Sequence, residues 1–587
     1  MTKTVLVANR GEIALRIVRA CKDLGLGSVA VFSDADADAL HVGEAGRSVR
    51  IGPPPARQSY LDQEAILRAA AESGASAVHP GYGFLSEQAD FAAAVQEAGL
   101  VFVGPDPDAM RELGDKRAAR SAAERAGLPV VPGAVIDGST TADRLAAAVG
   151  LPLVIKAAFG GGGRGMRVVR ELSQLDEAIA ASRRESGAAF GRDDVFAERF
   201  VEHARHVEVQ VAADRHGHVV HLGTRDCTVQ RRHQKLVEEA PAIDLPADVV
   251  EGMLDGAVRL ARDVGYVGVG TVEFLFDRDT SEWFFLEVNT RLQVEHTVTE
   301  LVTGIDVVGL QLGIAFGDPL PFAQEEVHVD GHAMQVRINA EDPGDDFRPA
   351  TGRISHASWP MGPWVRCDTS AVTGTVVTPN YDSLLAKVMA SGPDRDTARR
   401  RLVRALGETS IRGLPTTGAF LGTILEHPTF TELSHWTSFI DSGAVELPEP
   451  APDRVEDDDG AAAPAPVTPA TALLRIATTT GTFEVVVPTV ADDRVEAQSG
   501  DATGSTRSSS FAAAGAAGCV APMDCTLIAH AVAPGDRVAR GETVAVVESM
   551  KMETHVASDR DGVVRAVHHE PGASLRRGDV LVEIDDE

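Results

Sequence analysis

Trp283-Phe284-Phe285-Leu286-Glu287-Val288-Asn289-Thr290-Arg291-Leu292-Gln293-Val294-Glu295 is the stretch on which the reading of this chain turns. Glu287, Asn289, Arg291, Gln293 and Glu295 fall at every second position, with Leu286, Val288, Leu292 and Val294 between them. An extended backbone sends alternate side chains to opposite faces. The expectation is therefore five polar side chains on one face, with Thr271-Val272-Glu273-Phe274-Leu275-Phe276 as the other arm of a hairpin. The mixture suits chemistry better than simple wetting. Glu273 and Glu287, with Asn289, offer hard oxygen ligands for Mg2+ between phosphates. Arg291 offers a planar fork for an oxyanion, and Glu295 a base beside it.

Upstream, Val154-Ile155-Lys156-Ala157-Ala158 reads as a strand and Met166-Arg167-Val168-Val169 as its return. Phe159-Gly160-Gly161-Gly162-Gly163-Arg164-Gly165 lies between them. Successive glycines let backbone N–H groups approach phosphate oxygens. No Gly-Lys-Ser/Thr follows, so this is a phosphate lid of another kind than the P-loop. Residues 4–32 read as strand, helix, strand, and similar alternation continues to about residue 110, a doubly wound α/β start. No G-x-G-x-x-G follows the first strand. Residues 130–300 are richer in hairpins, and 331–440 are mixed α/β.

The 587 residues imply several domains. A net charge of −31 argues against nucleic-acid and anionic-membrane partners. Anionic substrates then need a locally basic pocket. Five scattered cysteines without metal-ligand spacing fit a reducing compartment. No run approaches the ~18–20 apolar residues of a membrane span, and the N-terminus enters a strand without a leader pattern. A cytoplasmic location is expected.

Of 55 basic residues only seven are lysine: Lys3, Lys22, Lys116, Lys156, Lys235, Lys387 and Lys551. Where arginine serves as a generic charge, a retained lysine suggests a need for an amine or a compact charge.

Residues 446–470 are Pro/Ala/Asp-rich and 499–518 Gly/Ser/Ala/Thr-rich, both linkers around a small β island at 472–496. Residues 519–587 read as all-β. There Pro534-Gly535-Asp536-Arg537-Val538-Ala539-Arg540-Gly541-Glu542 matches Pro571-Gly572-Ala573-Ser574-Leu575-Arg576-Arg577-Gly578-Asp579, implying a pseudo-two-fold sandwich. Lys551 falls about midway, at the tip of a hairpin. It is flanked by Met550 and Met552, which are expected to be exposed.

The C-terminal unit resembles the biotin carboxyl carrier family, marked by Met-Lys-Met at this tip. Lipoyl domains share the fold but usually have Asp-Lys there. The resemblance implies biotin in amide linkage to Lys551, attached by a biotin protein ligase. Ser549 stands where the family most often has Ala, and Asp524-Cys525 where Pro-Gly is common.

Residues 1–440 resemble the ATP-grasp fold, specifically biotin carboxylase. The resemblance is carried by Ala8-Asn9-Arg10-Gly11-Glu12-Ile13-Ala14, His79 to Glu87, the Lys156–Gly165 loop, Arg225 to Lys235, and Glu287 to His296. It implies an α/β ATP-grasp carboxylase with an N-terminal doubly wound subdomain, plus the C-terminal all-β biotinyl (lipoyl-like) sandwich. The expected domains are 1–115, the ATP-grasp domain 116–330, the C-terminal carboxylase domain 331–445, linkers and island 446–518, and the carrier 519–587.

The implied cofactors are biotin, ATP and Mg2+ or Mn2+. For ATP the resemblance implies Lys116, Lys156, Gly161, Gly162, Gly163, Glu198, Arg199, Phe200, Val201, His206, Gln230 and His233. Arg199 stands where lysine is common. For metal it implies Glu273, Glu287 and Asn289. For bicarbonate it implies Lys235, Arg291, Gln293 and Val294, with Glu295 as base. Arg337 would meet the negative charge of the biotin ureido group, near Tyr82 and Gly83.

No carboxyltransferase domain is recognised in the chain, so a separate β subunit is expected to carboxylate acetyl-CoA, propionyl-CoA or a similar acceptor, with the island docking it as part of a hetero-oligomer. The alternatives are a subunit of a split pyruvate carboxylase and a catalytically dead biotin carrier or scaffold.

Overall fold

Apolar strands alternating with one-sided helices build the N-terminal layer. The computed structural model describes residues 3–136, 141–157, 167–190, 195–451, 471–478, 481–488, 518–550 and 552–585. Five parallel strands lie in the spatial order Arg47–Gly52, Gly27–Ser33, Thr4–Val7, Ala77–His79, Val101–Phe102. Helix Gly11–Asp23 buries Ile13, Ala14, Ile17, Val18 and Cys21, fixing the carboxyl end of the first strand. The strand order reverses between Thr4–Val7 and Ala77–His79, where open α/β sheets place ligands. Asn9 leaves one of these strands and Tyr82 the other. Asn9 Nδ2 donates to the carbonyls of Pro80 (2.6 Å) and Tyr82 (2.8 Å). Gly81 sits at φ 63°, and a Cβ there would stand 2.8 Å from Asn9 Nδ2, so the close turn requires glycine.

The central sheet has eight antiparallel strands: Trp283–Asn289, Gly268–Asp277, Ala204–Ala213, Val219–Arg231, Gln234–Ala240, His332–Asn339, Leu384–Gly392 and Val365–Thr369. It runs unbroken across residues 330 and 331, because Val237 pairs with Val336. Every residue of Ala204–Ala213 is buried. Both faces are covered, so the polar residues of that strand must find partners inside.

The strand expected to reach Glu295 stops at Asn289, opposite Thr271. Residues 290–295 turn, and Glu295 is the N-cap of helix His296–Thr303. Alternation therefore continues in sequence beyond the point where ladder pairing ends.

A smaller four-stranded sheet orders Gly133–Ile136, Val195–Arg199, Leu153–Ala157 and Arg167–Val169. Gly161, Gly162 and Gly163 lie outside the described residues.

At the other end of the chain two four-stranded sheets pack around Leu527, Val544, Val547, Leu581, Val582 and Ile584. The internal repeat is visible in the backbone: φ is 95° and 93° at Gly535 and Gly572, and 88° and 91° at Gly541 and Gly578. Strands Thr543–Ser549 and Met552–Ala557 form the central hairpin, with Ser549 opposite Met552. Separately, Thr471–Thr478 and Gly481–Pro488 pair antiparallel as a two-stranded unit; 489–496 of the expected island lie outside the described residues. Among the described residues no single helix is long and apolar enough to cross a membrane.

Candidate active site

Two adjacent strands and a helix N-terminus bring three buried carboxylates to one amine. Glu208 pairs across the sheet with Glu273, and Glu273 with Glu287. Like charges directly opposite are destabilising unless compensated. Lys235 supplies the compensation. Its Nζ lies 2.7 Å from Glu208 Oε2, 2.9 Å from Glu273 Oε1 and 2.7 Å from Glu295 Oε1. Burial would lower the Lys235 ammonium, but the three carboxylates outweigh it and hold it well above its ordinary value.

Glu295 is fully buried. Burial alone would raise its carboxyl. The charges of Lys235, Arg337 and Arg225 prevail and keep it well below the usual carboxylate range. Arg337 donates from Nη2 to Glu295 Oε2 at 2.9 Å and from Nε to Glu238 Oε1 at 2.5 Å. The Arg337 fork thus joins two carboxylates, and Glu238, also fully buried, is itself pushed upward, chiefly by burial.

His206 Nε2 stands 2.8 Å from Glu273 Oε2. Burial lowers the imidazole, but Glu273 raises it further, so it holds its proton above the ordinary histidine range. Asn289 Nδ2 and Gln293 Nε2 both donate to Glu273 Oε1, at 2.7 and 3.2 Å. Arg291 donates to Asn289 Oδ1 at 3.0 Å and Gln293 Oε1 at 3.1 Å. The turn at 290–295 therefore gathers the polar set that a continuous strand was expected to align. Glu273 and Glu287 suit a hard divalent cation. They are direct cross-strand neighbours, Glu287 is exposed, and the Glu273 oxygens already take two positive groups.

Lys116 opens helix Lys116–Arg125 and is exposed. Lys156 Nζ meets Glu198 Oε2 at 2.5 Å between neighbouring strands. Phe200 N donates to the Pro152 carbonyl at 2.9 Å, and Val201 packs with Ala204 and Phe284. Arg199 is tied to Glu282 (2.8 Å) and Asp277 (3.6 Å). Gln230 is buried near the end of its strand, and His233 sits in the following tight turn at φ 66°.

Tyr82 and Gly83 join Arg10, Glu12, Phe84 and Asp382 around a cleft at the sheet's switch point. The Tyr82 hydroxyl donates to Glu12 Oε1. Lys387, which had no role in the sequence, completes this network. It is wholly buried, 3.2 Å from Glu12 Oε2, and donates to the Val294 carbonyl at 3.1 Å.

Sequence reasoning missed Glu208, Glu238, Glu12 and Lys387. The alternation His206-Val207-Glu208-Val209-Gln210-Val211 was a usable signal for Glu208. Lysine scarcity singled out Lys387 but gave it no partner.

Lys551 lies outside the described residues. Met550, beside it, is buried rather than exposed, at 4%, and its N donates to the Pro379 carbonyl at 3.1 Å. Met552 is half-buried. Ser549 is buried, its Oγ without a hydrogen-bond partner among the described residues. Cys525 is buried and its thiol is pushed up to about 11, chiefly by burial, so it is a poor nucleophile.

Comparison with known proteins bears on the same elements. Residues 1–110 match the family described as biotin carboxylase, N-terminal domain, and 335–442 the biotin carboxylase C-terminal domain. Residues 115–323 match the carbamoyl-phosphate synthase L chain, ATP binding domain, and 519–584 the family described as biotin-requiring enzyme. A biotin carboxylase of Nostoc sp. is 49% identical over 74% of this chain and 98% of its own. The biotin-dependent acyl-coenzyme A carboxylase alpha3 subunit of Mycobacterium leprae is 42% identical over 99% of this chain and 98% of its own. The crystal structure of a biotin carboxylase–β-γ-ATP complex from Campylobacter jejuni aligns at a TM-score of 0.71 and 40% identity, covering 75% of this chain and 99% of that one.

Proposed function

Because this chain belongs to the biotin carboxylase family, with a biotin domain of its own and ATP and Mg2+ as the family's further cofactors, we propose that it loads biotin on its own Lys551 and serves as the α subunit of an acyl-CoA carboxylase. The observation that carries the carboxylase chemistry is Glu295 clasped between Lys235 and Arg337.

Bicarbonate is a weak electrophile and must be activated by ATP. In this reading Lys235, Arg291, Gln293 and Val294 receive it, a local cationic cluster inside an acidic protein. Glu295, ionised and within the cluster, takes the bicarbonate proton as a bicarbonate oxygen attacks the terminal phosphorus of ATP and the bond from that phosphorus to ADP breaks, so ADP leaves. Once Glu295 is neutral, Lys235 and Arg337 each lose an anionic partner and turn toward the new carboxyphosphate. The C–O bond to phosphate then breaks, leaving CO2 and phosphate in the cleft. When bound, biotin would supply the nitrogen that takes up CO2, its N–H proton passing to the phosphate just released, and Arg337, beside Tyr82 and Gly83, would meet the negative charge of the ureido group. Lys116, Lys156 and His206 attend the phosphates. Glu198, Arg199, Phe200, Val201, Gln230 and His233 hold the nucleoside. Glu273, Glu287 and Asn289 hold Mg2+, which supplies charge neutralisation between phosphates when bound.

A sequence match over 99% of the chain to an acyl-coenzyme A carboxylase α subunit, at 42% identity, supports the acyl-CoA assignment. The carboxyl group then passes to acetyl-CoA or propionyl-CoA on a separate β subunit, in the cytoplasm, after a biotin protein ligase has modified Lys551. Carriage on the same chain would keep the biotin at a local concentration of order mM. Affinity capture through the biotin, followed by sequencing of the co-purified subunit and assay with acetyl-CoA, propionyl-CoA and pyruvate, tests this. Activity with an acyl-CoA is expected; activity with pyruvate alone would overturn it.

A further inference from the structure

Two hydrogen bonds of different character join described residues of the carrier domain to the carboxylase. At its hairpin tip the contact is backbone to backbone, Met550 N to the Pro379 carbonyl at 3.1 Å. Such a contact is blind to side chains, and any domain of this fold could make it. The acceptor is rigidly placed. Tyr381, two residues on, is buried and donates to the Pro54 carbonyl at 2.6 Å. Asp382, next along, lines the cleft shared with Tyr82 and Gly83.

The second contact depends on sequence. Thr351 Oγ1 donates to Asp524 Oδ2 at 3.2 Å, and both residues are half-buried. Asp524 is held for this purpose by its own domain, since its Oδ1 accepts from Arg577 N at 3.0 Å. It is also one of the positions where the chain departs from the carrier pattern, replacing a residue pair that offers no side-chain acceptor. A single contact at the tip would leave the domain free to pivot. A second one fixes its rotation.

We infer that Asp524 and Thr351 form a recognition pair by which this carboxylase selects and orients its own carrier domain, with the residue before Lys551 pinned beside the Tyr82 cleft. The inference rests on the reading of Lys551 as the biotin site. Loss of one half-exposed hydrogen bond of ordinary net strength predicts a drop of roughly 5-fold in the rate of loading. Free biotin, which bypasses docking, should be untouched.

The test uses the full biotinylated chain with labelled bicarbonate and ATP in a single turnover, comparing Asp524→Ala, Thr351→Val and the double variant. Thr351→Val leaves the carrier domain unaltered, so it separates docking from any loss of the Asp524–Arg577 bond. Each single variant should load attached biotin about 5-fold slower, the double variant no slower than either, and ATP hydrolysis dependent on free biotin should stay at the wild-type rate. Wild-type loading in Thr351→Val, or single effects that multiply in the double variant, would overturn the recognition pair. Absence of free-biotin-dependent hydrolysis in the unaltered chain would instead overturn the carboxylase reading beneath it.

Discussion

Lys235 Nζ and Glu295 Oε1 stand 2.7 Å apart in a largely buried cluster, and Lys235 meets two further carboxylates there. A base in such a grip has little proton affinity in the resting enzyme. In the proposed mechanism its affinity rises when incoming anions draw Lys235 and Arg337 away, which would couple deprotonation of bicarbonate to the arrival of the anions it reacts with.

Glu295→Ala should therefore remove turnover, by at least about 100-fold for loss of a general base, while nucleotide binding is largely retained. Steady-state hydrolysis beside equilibrium ATP binding checks this. Turnover near wild type would exclude Glu295 as the base.

The same ion pairs set a pH signature for stability. The folded-state carboxyl of Glu295 is depressed, so its contribution is complete above the unfolded value near 4.5 and fades as pH falls through the lower folded value. Glu295→Gln should cost about 3 kcal/mol. That difference should be flat from about pH 8 to pH 5 and narrow only below about pH 4. Denaturant melts at stepped pH measure it.

Lys387 and Glu12 form a buried pair behind Tyr82 and Val294. Lys387→Met strands Glu12 without its cation and should cost about 3–5 kcal/mol. Adding Glu12→Gln should recover part of that loss, and the Tyr82 turn should loosen in both variants, raising KM for free biotin more than it lowers kcat. A double-mutant cycle on stability reads the coupling, and additive losses would show that the pair is not coupled.

Much of this site was legible in sequence because its parts obey local rules. Two-residue alternation exposed Glu287 to Glu295, although the strand itself ends at Asn289. The matching glycine turns exposed the pseudo-two-fold carrier. Lysine scarcity marked Lys235, whose three partners come from separate elements. Glu238 shows what was missed: it acquires meaning only when strand Gln234–Ala240 is laid beside His332–Asn339, which brings Arg337 across to it. Met550 misled for the same reason. A methionine on a hairpin tip is exposed by local logic, yet Met550 is buried, and its N donates to the carbonyl of residue 379, remote in sequence.

Deleting residues 446–498 should leave carboxylation of free biotin intact and abolish acyl-CoA carboxylation with the partner subunit. Paired assays on one preparation check it. Full overall activity in the deletion would show that the segment does not dock the partner.

The most direct test is transfer of label from bicarbonate to the full-length biotinylated chain, with ATP and Mg2+ and no partner present. Acid-labile label should appear on the protein, require ATP, and vanish in Lys551→Arg. Failure to label the biotinylated chain, or label that persists in Lys551→Arg, would contradict a carboxylase that charges its own carrier at Lys551.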